Sequence, residues 1–162
     1  MTDRVSVAGL LKITALIGAF TFLQVSVLPS IWLYSVKPDL LLVLAILISL
    51  NYNFTHLIVF VLLCGISKDI FSLSLPGFNA FAFSLEAGIV FFIFRRIYKE
   101  IPWLELILVA SATMLNYLAL TLILGKPYIL IGIQEAALNC LFLPLVLRLF
   151  NFIRGRAYEK NA

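Results

Sequence analysis

CGISKDIFSLSLPGFNA, residues Cys64 to Ala80, is the stretch on which the reading of the fold turns. An apolar run ends there in two adjacent charges, Lys68 and Asp69. The dipeptide Pro76-Gly77 then breaks the chain, and a second apolar run follows. Charges beside a hydrophobic span are costly in lipid. Either a helix ends at a membrane surface here, or the charges serve the inside of a helix bundle. On both readings the stretch is a corner between two greasy helices.

The rest of the chain has the composition such a corner needs. Its 162 residues are 63% hydrophobic and 12% charged, with a mean hydropathy of +1.10. Soluble domains are about half apolar and roughly a quarter charged, so the sequence reads as an integral membrane protein. A spanning helix takes roughly 20 apolar residues, which allows about six spans and no soluble domain. Runs such as Leu40–Leu50 and Leu57–Leu63 are apolar without the alternation of a membrane β-barrel. The expected fold class is therefore all-α, one polytopic domain over residues 1–162. The net charge of +4 comes from basic residues flanking apolar runs, where they orient helices, and is no nucleic-acid signal. Cys64 and Cys140 lie in apolar runs and read as small packing residues. No metal or cofactor site is expected from one histidine and no ligand spacing.

The expected spans are residues 10–28, 38–50, 54–73, 77–94, 102–124 and 129–150. A cleaved signal peptide competes for the first of them, but no small-x-small cleavage site follows, so a retained anchor is expected. Ala15, Gly18 and Ala19 put small residues close together on this span, a spacing that lets helix backbones approach. In the outer loop, Trp32 and Tyr34 suit the headgroup level. Pro38 suits a first helical turn, where no amide donor is needed, and Asp39 suits the positive end of that helix. Two readings of Pro38–Ser67 stay open. It is one helix of about 45 Å, or Asn51-Tyr52-Asn53 is a turn between two spans. The turn is favoured, because asparagine forms turns and one helix would far exceed the hydrocarbon thickness.

Lysine and arginine placement orients the bundle. With six spans and the amino end inside, the inner side holds Arg4, Lys12, Arg95, Arg96, Lys99, Arg148, Arg154, Arg156 and Lys160; the outer side holds Lys37, Lys68 and Lys126. Nine against three predicts both termini inside.

Polar residues at or near membrane depth are the candidates for function: Asp69, Glu86, Asn116, Glu135 and Asn139. Glu135 and Asn139 share a helix face. Asn116 and Asn139 read as interhelical glue, while Glu86 is balanced between structure and function. Lys68 and Asp69 point about 100° apart; Lys68 is expected to snorkel outward. Asp69 is expected to hold the corner by accepting hydrogen bonds from free amides near Gly77–Asn79, with Gly77 needed for close approach or a positive φ. No H-E-x-x-H, serine–base pair or glycine-rich phosphate loop is visible in the sequence, so an enzyme is not expected.

The order Lys37-Pro38-Asp39-Leu40-Leu41-Leu42, Gly65-x-x-x-Asp69 and Gly77-x-x-Ala80, with Gly77 eight residues after Asp69, resembles the MreD family. These are rod shape-determining membrane subunits of the bacterial cell-elongation machinery. The resemblance covers about Lys37–Glu100; elsewhere only helix number, size and the basic tail match. The chain departs from the pattern at Lys68, where an apolar residue is expected, and at Asn51-Tyr52-Asn53, which lacks a glycine. The resemblance implies a non-catalytic, multi-pass subunit of the bacterial cytoplasmic membrane, acting in cell shape and peptidoglycan synthesis. It implies association with a bitopic MreC-like protein, and through it with a RodA-type glycan polymerase, a class B penicillin-binding transpeptidase and MreB filaments. The family's fold is similar to the substrate-binding subunits of energy-coupling-factor vitamin transporters, and such a transporter subunit is the alternative reading. Pro38, Asp39, Gly65, Asp69, Gly77 and Glu86 are the expected structural or functional residues, and Ala15, Gly18 and Ala19 the expected partner-packing face.

The charge reading is tested by reporter fusions. Fusions after Asn53, Pro76, Lys99 and Pro127 are expected to report in, out, in and out; an outside signal after Lys99 would overturn the scheme.

Overall fold

The structure, a computed structural model, describes residues 7–31, 36–71, 76–94 and 103–158. Arg4, Trp32, Tyr34, Arg95, Arg96, Lys99 and Lys160 lie outside the described residues, and so do the expectations resting on them. Among the described residues every regular element is helical. Helix α1, Val7–Phe22, runs on through a π-helical stretch, Leu23–Val27, and a last turn, Leu28–Ile31. Then come α2, Leu40–Asn51; α3, Phe54–Phe71; α4, Phe78–Ile89, continued by π-helical Val90–Phe94; α5, Leu104–Leu124; and α6, Ile129–Tyr158.

Helix α2 is the axis of the bundle. Its sequence LLLVLAILISLN has no polar face, and a helix apolar all round is a buried one. From Leu40 to Ser49 no residue is more than 4% exposed. All five other helices pack on it. Those helices show the complementary pattern. Gly9–Val27, Phe54–Phe71, Leu104–Leu124 and Ile129–Ile153 are long and apolar enough to cross a membrane, yet only 28% of each one's most apolar stretch is buried inside the protein. Helix α1, for example, turns Ile13, Leu16, Ile17 and Phe20 to the core and leaves Leu11 and Phe22 about two-thirds exposed. A ring of helices with apolar outer faces is a protein built for lipid. The two remaining helices, Leu40–Asn51 and Phe78–Phe92, are shorter.

The Asn51–Asn53 segment separates two helices. Helix α2 ends at Asn51, and Tyr52 takes up an extended conformation at φ −112°, ψ 160°. The Asn51 side chain closes the last turn by donating to the Leu47 carbonyl at 2.8 Å. The Tyr52 ring is held edge-on by Phe60 and Phe150, each at 6.1 Å. At the other end the helix starts later than the sequence suggested. Asp39 is the N-cap and Leu40 the first helical residue, so Pro38 lies outside the helix and not in its first turn. The aspartate side chain competes for its own helix's amides, accepting from Leu42 N at 3.2 Å, and that sets the start.

The corner from Cys64 to Ala80 is formed by two glycines with different jobs. A Cβ on Gly65 would stand 2.4 Å from the Ala80 Cα and 2.9 Å from the Asn79 carbonyl oxygen. The backbones of α3 and α4 therefore touch there, as only glycine allows. Gly77 has open space around it but a φ of +84°, so its reason is conformation. Hydroxyls along the bundle are answered locally: those of Thr14, Thr21, Ser84, Thr113 and Thr121 each donate to the carbonyl four residues back. That removes donors that lipid would leave unmet.

Gly65→Ala is expected to lower stability by about 1–3 kcal/mol in detergent unfolding. Adding Ala80→Gly is expected to give no relief, because the obstacle is backbone. Gly18→Ala, with nothing within 4 Å of the new Cβ, is the control and is expected to be neutral.

Candidate functional site

The polar residues of the interior meet at the amino end of α2, and every helix contributes. The segment before that end, Val36 to Asp39, is not helical but is largely buried, with Asp39 only 3% exposed. Its backbone needs partners that helix geometry does not supply. Gln24 on α1 donates to the Pro38 carbonyl at 3.3 Å and to Asp39 Oδ1 at 3.0 Å. The Asp39 amide donates to Asn139 Oδ1 on α6 at 2.6 Å. The Asn139 amide group in turn donates to Thr113 Oγ1 on α5 at 2.9 Å. Lys68, from α3, closes an ion pair with Asp39 Oδ2 and sits 5.0 Å from the centre of the Phe83 ring on α4.

Gln24 reaches this point because of the π-helical turn it sits in. An extra residue per turn re-aims the side chains, and such bulges mark places where a helix departs from its own register for a purpose. Lys68 corrects the sequence expectation: it does not snorkel outward. Its ammonium is turned in to Asp39, since a buried carboxylate at that depth without a cation costs more than desolvating the lysine. Lys68 is thus the partner of Asp39.

Asp69 faces the other way, into the corner. Its carboxylate accepts from Asn79 N at 3.1 Å, from Ala80 N at 3.0 Å and from Asn79 Nδ2 at 2.8 Å. It supplies from α3 the cap that Gly77, having no side chain, cannot give α4. Asn79 belongs to the Gly77–Asn79 stretch expected to supply the donors, and Ala80 extends it by one residue.

A third group completes the cluster. Tyr117 on α5 donates to Glu135 Oε2 on α6 at 2.5 Å. Helices α5 and α6 come close here because Gly132 lies against Tyr117; a Cβ on it would be 2.8 Å from the tyrosine Cβ. Glu86, 5% exposed, comes up from α4 beside Asn116, 8% exposed, on α5. A chamber of about 40 Å³ lies among Asp39, Lys68, Asn79, Asn116, Tyr117 and Glu135.

Of the residues singled out from sequence, Asp39, Lys68, Glu86, Asn116, Glu135 and Asn139 are brought together, and Asp69 lies next to them through Asn79. Pro38 contributes a carbonyl. Gly65 and Gly77 shape the corner. Ala15, Gly18 and Ala19 are elsewhere, on the exposed face of α1. Gln24, Thr113, Tyr117 and Gly132 were missed. Gln24 did carry a signal, as a lone amide inside an apolar run. Threonines usually satisfy themselves within a helix, so Thr113 carried none. Cys64 and Cys140 are free thiols. Comparison with protein families, with characterised proteins and with solved structures finds no match.

What the cluster does chemically is tie six helices to one another. Lys68→Met is expected to leave the Asp39 carboxylate unpaired and to cost about 3 kcal/mol, near the lower end for a buried pair because Lys68 is partly exposed. The double change Lys68→Met, Asp39→Asn keeps an acceptor for Gln24 and removes the stranded charge. Unfolding midpoints in detergent should show it recovering more than half of the loss.

Proposed function

We propose that this protein is a non-catalytic membrane subunit of the bacterial wall-elongation machinery, resembling MreD and acting by helix packing in the cytoplasmic membrane. The observation that carries the reading is how the interior is used. Asp39, Lys68, Gln24, Asn139, Thr113, Tyr117 and Glu135 bond to one another across helices, and the chamber left among them is about 40 Å³. Sites for vitamin-sized ligands run to about 300–1,000 Å³. That supports a scaffold over the alternative, a vitamin-binding transporter subunit. The family-like residues also have structural work: Asp39 caps α2, Gly65 admits Ala80, and Asp69 caps the helix that Gly77 begins.

In this reading the chain crosses the membrane six times with both termini inside. Helix α2 is about 18 Å long, too short to cross in contact with lipid. It has no need to, since the protein around it shields it. Non-helical backbone at membrane depth is tolerated where it is buried in protein, and Val36–Asp39 fits that description. A partner's helix would be recognised by close packing on the Ala15, Gly18 and Ala19 face of α1, which is exposed among the described residues. In lipid, such recognition depends on small residues and a few hydrogen bonds.

Leucine at both Ala15 and Ala19 is expected to weaken capture of an MreC-like bitopic partner about tenfold, at unchanged membrane insertion. Depletion is expected to round rod-shaped cells. Tight binding of a vitamin by the purified protein, with cell shape unaffected by depletion, would overturn the proposal in favour of the transporter reading.

A further inference from the structure

Glu86 and Asn116 are the part of the cluster that the helix-to-helix bonds leave out. Asn116 is only 8% exposed, and neither atom of its amide has a hydrogen-bond partner. Glu86 is buried beside it, near enough for its carboxyl to interact with that amide but outside hydrogen-bond geometry, and its Oε2 has no other partner. A buried polar group left unmet costs about 1–3 kcal/mol. Three such atoms in one place, next to a cavity that Asn116 itself lines, need an occupant.

We propose that the chamber between α2, α3, α5, α6 and the start of α4 is a built hydration site, holding about one to three water molecules. Size permits it: the chamber is about 40 Å³, and one water needs about 10–15 Å³ of such volume. Chemistry selects it. An amide with both its N–H donors and its carbonyl unmet wants an occupant that donates and accepts. A cation would answer only the oxygen, an anion only the nitrogen, and water answers both. A metal ion has little to hold it, because among the described residues no three His, Cys, Asp or Glu side chains are grouped to bind one. Apolar cavities stay dry, whereas cavities lined by several polar groups fill. Here the lining includes Asp39, Lys68, Tyr117 and Glu135, which together offer N–H donors and carboxylate acceptors for the waters' remaining bonds.

The consequence is continuity. Direct bonds leave separate groups: Asp39 with Gln24, Lys68 and Asn139, the last bonded on to Thr113, and Tyr117 with Glu135. Asn116, and Glu86 beside it, belong to neither. Water in the chamber joins Asn116, which lines it, to both.

X-ray radiolytic footprinting of the full-length protein in lipid nanodiscs tests this, since hydroxyl radicals made from bound water oxidise the side chains beside it. Tyr117 is the reporter and Tyr52, buried in an aromatic cluster, is the internal control of equal chemistry. With water bound, Tyr117 is oxidised faster than Tyr52, and the excess is lost when the chamber is filled. Asn116→Leu, which fills the space with an apolar group, brings the two rates together. Equal rates in the unaltered protein overturn the proposal, as does fast Tyr117 oxidation that Asn116→Leu leaves unchanged. Because Tyr117 is half-buried and Tyr52 buried, the fall in Tyr117 oxidation on replacing Asn116 is the deciding comparison, and Asn116→Val, a smaller apolar replacement, serves where the leucine variant fails to fold.

Discussion

A stretch of backbone that leaves helical geometry inside a helix bundle must find its hydrogen-bond partners in protein, because lipid offers none. Val36–Asp39 imposes that constraint here. Helix α2 is short and begins within the bundle, so the chain leading to it is buried with its peptide groups open. Gln24 takes the Pro38 carbonyl, Asn139 takes the Asp39 amide, and the Asp39 carboxylate takes the free amide of Leu42 in the first turn of α2. The carboxylate then needs a cation, and Lys68 supplies it from the neighbouring helix. Each step creates the requirement that the next one meets.

This ordering bears on what the ion pair contributes. A buried pair is weak evidence for stability, because desolvating both charges offsets their attraction. Its clearer effect is on register. Helix α2 has no polar face and would slide or rotate among its neighbours with little change in apolar burial. Asp39 at one end and the Tyr52 ring at the other, between Phe60 and Phe150, fix its height and its azimuth. The two close helix contacts, Gly65 against Ala80 and Gly132 against Tyr117, do the same for the pairs α3–α4 and α5–α6. What remains outside is an apolar shell, interrupted on α1 by the small residues Ala15, Gly18 and Ala19.

Much of this was legible in the sequence. Six apolar segments were marked by length and charge, and the structure has a helix in each. The turn at Asn51–Asn53 followed from asparagine chemistry and from the excess length of a single helix. Asp69 was assigned to the corner because the first amides of the following helix lack helical partners and a carboxylate suits that positive end. The limits were equally physical. Helix periodicity was useless for α2, since a helix buried on all sides has no face to read; its central position came only with the structure. Lys68 was sent outward because its nearest charge in sequence, Asp69, points elsewhere, whereas its partner lies 29 residues away. Gln24 depends on a π-helical turn, and Pro38 was given to a helix that Asp39 starts one step later. A sequence shows which groups need partners. Which groups answer them, across six helices, depends on packing that no local pattern encodes.

The central claim is that α2 is the sheltered axis of a lipid-embedded bundle, and the most direct test is to ask which residues touch acyl chains. The unaltered protein would be reconstituted with phospholipids carrying a photoactivatable diazirine in the chain, and adducts mapped by mass spectrometry. Adducts are expected on the outward residues of the surrounding helices, such as Ile70, Phe81, Leu122 and Leu141, all more than two-thirds exposed, and none from Leu40 to Ser49. Adducts along Leu40–Ser49 at yields comparable with those helices would contradict the account, because they would put α2 at the lipid boundary.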